Sequence, residues 1–514
     1  MEPEFELIAK TFQGLENVLA NELSALGAQN IAPGRRMVAF TGNKEMMYKA
    51  NFALRTAIRI LKPIKHFKAT SADEVYKEIK AMPWDHYLDP HTTFAVDSVV
   101  YSQDFRHSKF VAYKVKDAIV DYFRERTGNR PSICVADPDL QLNIHISGND
   151  CTLSLDSSGE SLHKRGYRQQ SVEAPINEVL AAGLILLSGW DGGCDLIDPM
   201  CGSGTIPIEA ALIARGIAPG IFRKQFAFEK WPDFNKELLD NIYNDDTQER
   251  PFNHKIHASD ISRDALIACL KNVKAAGLTN EITISQQDFS QFTQPTEKSV
   301  IIMNPPYGER LNPLHLSNLY HTIGERLKHQ FVGGDAWIIG YKEEYFDAIG
   351  LKPSLKIPLY NGSLECEFRH YQIFDGKYND MRAHGGSIKS DEERRLMAEK
   401  HYMKPRKTFK RHFNDDDDDD EFNYGNRKRF QQKYGTNTYG HSDINAAFPH
   451  SNVDFSYQKR KTSKNYENTS KKYKSFSRRD DGLFYSPDIK KRYADQRDRR
   501  GRSSREERGH DAKN

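Results

Sequence analysis

The chain has 514 residues, enough for one large core or two to three ordinary ones. Apolar residues make up 38% and charged residues 28%, which leaves part of the chain unable to pack, and no apolar run approaches the roughly 18–20 residues of a membrane span. The net charge of +3 hides two opposed segments, because residues 376–514 hold 34 Lys+Arg against 23 Asp+Glu while residues 1–375 hold 40 against 48.

The chain opens on MEPEFELIAK, with no charged-then-apolar leader, so a soluble, cytoplasmic protein is expected. Residues 1–50 read strand, helix, strand: FELIAK, then GLENVLANELSALG with Leu15, Val18, Leu19, Leu23 and Leu26 on one face, then MVAFTG. Residues 51–160 add the helices SADEVYKEIKAM and AYKVKDAIVDYFRERTG among the strands TFAVDSVVY, LQLNIHI and TLSLDSS. No glycine-rich phosphate loop lies there, which suits a binding module better than a catalytic one.

After the basic stretch HKRGYRQQ the pattern becomes short, continuous apolar strands: CDLID, KIHASD, EITISQQD, SVIIMN and DAWIIGY. Amphipathic helices separate them, as in a parallel sheet covered on both faces. SLKIPLY and LECEFRHYQIF, joined by an NGS turn, add an antiparallel pair, so residues 161–375 predict a seven-stranded, mostly parallel sheet. Residues 376–514, carrying DDDDDD at 415–420, lack the apolar periodicity needed to offset chain entropy and are expected to be disordered. Within them, KRKTSKNYENTSKKYKSFSRR interleaves cations with Tyr and Phe, a composition suited to a nonspecific RNA tether. Cys134, Cys151, Cys194, Cys201, Cys269 and Cys366 form no C-x-x-C pair, so reduced thiols and no metal are expected.

The stretch DPMCGSGTIPIEAA begins at Asp198. A strand delivers Asp198 to its carboxyl end and Pro199 and Cys201 lead into a turn. Gly202 and Gly204 let the backbone approach a ligand, and Thr205 opens a helix whose N-terminal amides face it. A tight strand-to-helix turn would use the same glycines. Two further acids close successive strands: Asp260, placed to accept from both ribose hydroxyls, and Asp288, placed to accept from an adenine amine. Ile261 and Phe289 follow them and suit sandwiching a purine, although either acid could instead cap a helix. A dinucleotide enzyme places its ribose acid about 20 residues past the glycines. Asp260 lies far beyond that, after the aromatic insertion FRKQFAFEKWPDF, and no G-x-x-x-x-G-K-[ST] loop is present. A ribose-and-adenine cofactor without pyrophosphate remains, which is S-adenosylmethionine.

The fourth strand of this sheet ends in NPPYGERL, residues 304–311. A nucleobase amine is a poor nucleophile because its lone pair is delocalised into the ring, so methylation needs acceptors that favour charge building on nitrogen. Asn304 Oδ1 and the Pro305 carbonyl supply two, Pro306 stiffens the floor, and Tyr307 can stack on a base that has left its helix or loop. The bland alternative is a turn that ends a strand.

Together these stretches resemble the THUMP-containing class I RNA methyltransferases, most closely the N-terminal half of the bacterial 23S rRNA guanine-N2 enzymes. The matching blocks are VKDAIVDYF at 115–123, SLDSSGESLHKRGYR at 154–168, LIDPMCGSGTIPIEAA at 196–211 and NPPYGERL. The resemblance implies an α/β protein with a ferredoxin-like domain over 1–50, a THUMP RNA-binding domain over 51–160 and a Rossmann-like class I methyltransferase domain over 161–375. The implied reaction methylates the exocyclic N2 of a guanosine in 23S rRNA or its large-subunit precursor. Longer members carry a second methyltransferase domain; here only the basic tail follows, so one activity is expected. Arg106, Lys109, Lys114, Lys116, Lys164, Arg165 and Arg168 are the expected phosphate contacts, each also readable as an ordinary solvated side chain. Two other readings stay open: an N6-adenine methyltransferase of RNA or DNA, and a catalytically silent RNA-binding assembly factor.

Overall fold

The computed structural model describes residues 3–105, 107–172, 174–296, 298–307 and 313–374. Arg106 and the tail expected to be disordered lie outside the described residues.

The first half runs β1 (Phe5–Lys10), α1 (Glu16–Ala25), β2 (Gln29–Gly34), β3 (Met37–Gly42), α2 (Lys44–Ala53), β4 (Arg59–Lys68), α3 (Ala72–Lys80), β5 (Thr93–Tyr101), α4 (Ser108–Thr127), β6 (Ser132–Ile133), β7 (Leu140–Ser147) and β8 (Asp150–Asp156). Its strands form one mixed sheet in the order β2-β3-β1-β4-β8-β7-β5-β6. The elements of this half that the sequence did not disclose are α2 and the strands β2, β4 and β6. The boundary expected at 50/51 falls inside α2, and β4 carries the sheet across it, pairing antiparallel with β1 through Ile8↔Leu61 and with β8 through Leu61↔Asp156. Arg59, Lys62, Lys65 and Lys68 obscure the apolar alternation of β4, and Pro63 sits in a central strand because the register shifts beside it. Local signals set the helix ends: Asn43 and Ser71 accept the first-turn amides of Met46 and Glu74, and Gly128 closes α4 in the left-handed region at φ 74°.

The second half runs α5 (Glu178–Ser188), β9 (Asp195–Asp198), α6 (Thr205–Ala214), α7 (Lys236–Asn244), β10 (Ile256–Asp260), α8 (Arg263–Ala275), β11 (Ile282–Gln286), β12 (Ser299–Met303), α9 (Pro313–Gln330), β13 (Asp335–Gly340), α10 (Glu343–Ile349), β14 (Leu355–Asn361) and β15 (Leu364–Gln372). Its seven strands lie in the order β11-β10-β9-β12-β13-β15-β14. The first five are parallel, and β15 runs antiparallel to both of its neighbours. The chain winds outward from β9 to β11, then restarts on the other side of β9 with β12. That reversal opens a crevice above the carboxyl ends of β9 and β12, where ligands bind in open α/β sheets.

The aromatic insertion after α6 has a packing role. Phe226, Phe228, Trp231, Leu239 and Ile242 leave the second half and enter the core of the first sheet, where Phe228 stacks on Tyr48 with centroids 4.0 Å apart. Among the described residues no helix is long and apolar enough to cross a membrane, and no group of side chains could hold a metal ion.

Candidate active site

Four chain segments reach the crevice at strand ends, as parallel topology requires. Asp198 ends β9 with 1% of its surface exposed, and burial first, then the neighbouring Asp260 charge, push its pKa up to about 8. Pro199 and Cys201 are buried beneath the turn that follows. Gly202 and Gly204 adopt φ +53° and +84°, which only glycine takes at little cost, and a Cβ on Gly204 would stand 2.6 Å from Cys269 Sγ. By contrast, a Cβ on Gly202 would meet only Val172 at 3.8 Å. Thr205 then starts α6, which is buried along its whole length.

Asp260 ends β10. Its Oδ2 accepts from Gly202 N at 2.9 Å and its Oδ1 from Ser262 N at 2.8 Å, so each oxygen keeps a lone pair for a ribose hydroxyl. The cap of α8 is Ser262, not Asp260. Asp288 is exposed and caps a single 3-10 turn through Ser290 N at 2.8 Å, so the capping alternative holds for one of its oxygens. Ile261 is 68% exposed beside the crevice, whereas Phe289 is 4% exposed and stacks on Phe331 at 6.1 Å. The expected sandwich therefore has one available side chain, because the Phe289 ring is committed to the core under α9.

At the end of β12, Asn304 Oδ1 is a buried acceptor with no hydrogen-bond partner among the described residues. Pro305 is buried and Pro306 exposed. The Tyr307 hydroxyl accepts from Asn361 Nδ2 at 2.5 Å, and burial followed by the adjacent Cys366 raises its pKa. The ring is thus fixed from β14 by an asparagine that the sequence offered only as a turn residue.

The basic residues divide into two groups. Lys109, Lys114 and Lys116 lie on α4; Lys114 pairs with Asp73 at 2.7 Å and Lys116 with Asp117 at 2.7 Å. Lys164 is exposed and pairs with Glu160 at 2.9 Å. Arg165 and Arg168 correct the expectation of phosphate contact. Arg165 is 2% exposed, with its guanidinium on Glu209 and on the carbonyls of Leu162 and Arg55. Arg168 bonds Glu178, Ser203 and Thr205 inside the protein. The HKRGYR stretch is basic because two of its arginines satisfy buried acceptors between the halves. Asn272 was also missed; its signal is a polar residue on the apolar face of α8, between Cys269 and Val273.

The residues present fit the donor: an acid with free lone pairs at the ribose position, a glycine turn that lets the backbone approach, and an orphaned amide oxygen beyond it where a methyl acceptor would lie. A family model described as an RMKL-like methyltransferase domain matches residues 165–370, a THUMP-domain model matches 69–156, and an RlmL ferredoxin-like model matches 6–61. A Synechocystis protein whose name reads "Putative RNA methyltransferase" is 36% identical over 379 residues, 72% of this chain and 97% of that protein. The ribosomal RNA large subunit methyltransferase K/L of Syntrophotalea carbinolica is 37% identical over 391 residues, 74% of this chain and 55% of its own. The chain spans about half the length of such K/L relatives. Among solved structures, SMU.472 complexed with SAH aligns at TM-score 0.66 and 31% identity, over 73% of this chain and 100% of its own. A Listeria monocytogenes protein described as a predicted N6-adenine-specific DNA methylase aligns at TM-score 0.65 and 32% identity, over 72% of this chain and 97% of its own. With its cofactor thereby given as S-adenosylmethionine, the chain belongs to the THUMP-containing, RMKL-like family of RNA methyltransferases.

Proposed function

We propose that the protein transfers a methyl group to the exocyclic N2 of a guanosine in 23S rRNA or its large-subunit precursor. The observation that carries an exocyclic-amine acceptor is the orphaned Asn304 Oδ1 at the mouth of the β9/β12 crevice. A buried acceptor without a donor costs about 1–3 kcal/mol, which an N–H of the target base would recover. The choice of large-subunit RNA draws on the names of the K/L relatives, and the choice of guanine N2 over adenine N6 draws on the RNA-binding front half and on the resemblance of the four separated blocks taken together, since an N-P-P-Y floor suits either amine.

When bound, the donor would supply a methyl group on a sulfonium; the S–C bond would break as the N–C bond forms, the sulfur would leave as the neutral thioether, and the amine's proton would pass to water. The chain's residues act around that step. Asn304 Oδ1 and the Pro305 carbonyl accept from the amine and favour positive charge developing on its nitrogen. Tyr307, anchored by Asn361, offers its ring to the base. Asp260 orients the ribose of the donor. The RNA grip falls to α4, whose first half exposes Phe110 and Tyr113 beside Lys109, Lys114 and Lys116.

The test is methyl transfer from labelled S-adenosylmethionine to 23S rRNA lacking the modification, followed by nucleoside analysis. The expected product is N2-methylguanosine, with Asn304→Ala lowering the rate about 100-fold or more. Label recovered as N6-methyladenosine would overturn the base, and equal rates from wild type and Asn304→Ala would overturn that residue's role.

A further inference from the structure

The segment that leaves the eight-stranded sheet passes behind the glycine loop, and two side chains fasten it there. Arg168 uses its whole guanidinium: Nε donates to Glu178 Oε1 at 2.7 Å, Nη1 to Ser203 Oγ at 2.9 Å, and Nη2 to Thr205 Oγ1 at 2.9 Å and the Ile176 carbonyl at 3.4 Å. Asn272, fully buried on α8, makes four bonds. Its Oδ1 accepts from Gln169 N at 2.8 Å and Gln170 N at 3.1 Å, and its Nδ2 donates to the carbonyls of Gln170 at 2.7 Å and Ser203 at 2.9 Å.

Ser203 is therefore held at its hydroxyl by one residue and at its carbonyl by the other. It lies between Gly202 and Gly204, the positions with the widest conformational freedom in the turn. From the opposite side, Asp260 holds Gly202 N at 2.9 Å and Ser259 holds Cys201 N at 2.9 Å. The two left-handed glycines have no side chains with which to fix the turn, which leaves Ser203 and Thr205 as its handles. The planar fork of an arginine, with five donors in fixed directions, is suited to restraining two hydroxyls at once.

We propose that Arg168 and Asn272 are positioning residues that hold the cofactor loop in its donor-binding shape, acting through Ser203 and Thr205. The inference rests on donor binding at this loop and is independent of which base is methylated. It also links the two halves: the connecting segment that follows the RNA-binding sheet is part of the scaffold of the cofactor turn.

The test uses the full chain and two separate titrations, S-adenosylhomocysteine by calorimetry and RNA by fluorescence anisotropy over a series of salt concentrations. Wild-type uptake of S-adenosylhomocysteine checks the cofactor assignment first. Arg168→Ala and Asn272→Ala are expected to weaken S-adenosylhomocysteine binding and raise the KM for the donor about tenfold or more, in line with the cost of a misplaced binding group. RNA affinity and its salt dependence stay unchanged, and Arg168→Lys, which keeps the charge but loses the fork, recovers only part of the loss. Arg165→Met removes a buried arginine that does not touch the loop; it is expected to lower thermal stability and leave the affinity of the folded protein as it was. Should Arg168→Ala fail to fold, Ser203→Ala removes its hydroxyl acceptor alone and is expected to act in the same direction; should Asn272→Ala fail to fold, Asn272→Asp, which keeps Oδ1 and loses the Nδ2 donation to the Ser203 carbonyl, takes its place with the same expected outcome. Unchanged S-adenosylhomocysteine affinity in these variants, an equal loss in Arg165→Met, or a loss of RNA affinity with a flattened salt slope in Arg168→Ala would overturn the proposal.

Discussion

Asp198 shows how one residue ties the site to stability. Its carboxyl is 1% exposed, and burial together with the Asp260 charge raises its pKa from 3.8 to about 8. The folded state then holds a proton that the unfolded state releases near pH 4. Stability from this group is complete below that pH and is lost as pH rises towards 8, at about 1.4 kcal/mol per unit. Asp198→Asn keeps the shape and removes the titration. Relative to wild type it is expected to be near neutral at pH 4 and increasingly more stable up to pH 8, measured by urea unfolding across that range. A pH-independent difference would show that Asp198 ionises normally in the fold. The same residue was readable in sequence as the acid at a strand end, but its protonation was not. That depends on β10 and β12 closing over it from either side, contacts made by residues about 60 and 100 positions away.

Helix α4 changes character along its length. Its second half buries Tyr122 and Phe123, while its first half leaves Phe110 53% and Tyr113 59% exposed, three residues apart and so on one face. Lys114 Nζ lies 5.5 Å from the Phe110 ring and Lys116 Nζ 5.9 Å from the Tyr113 ring. Aromatic faces flanked by cations suit unpaired bases, at about 1–3 kcal/mol per stacked base. Phe110→Ala and Tyr113→Ala are each expected to weaken RNA binding by about fivefold to a hundredfold with the salt slope unaltered. Lys109→Ala is expected to reduce that slope by about one phosphate contact. Anisotropy titrations at several salt concentrations distinguish these outcomes; aromatic variants that bind RNA like wild type would move the contact elsewhere. The apolar period marked this helix correctly in sequence. Which of its aromatics were core and which were surface awaited the packing of α3 and β5 against it.

At the scale of the molecule the two halves share a core. Phe228, 0% exposed, belongs to the catalytic half by sequence and to the core of the first sheet by position, stacked on Tyr48. Phe228→Ala is expected to destabilise the protein by about 3–5 kcal/mol, as other buried phenylalanines do, with a matching fall in the urea midpoint. A change below about 1 kcal/mol would mean that the insertion packs loosely and contributes little to joining the halves. By itself the sequence determined the parallel sheet, the order of its strands in the chain, the glycine turn and the N-P-P-Y corner. These follow from local periodicity and from residues whose backbone behaviour is intrinsic, such as Gly204 and Pro305. The tertiary structure alone decided that Arg165 and Arg168 face inward, that Phe289 is core, that Asn361 holds the Tyr307 hydroxyl and Asn272 the Ser203 carbonyl, and that β4 joins two domains into one sheet. Each of those is set by partners distant in sequence, whose proximity no local pattern encodes.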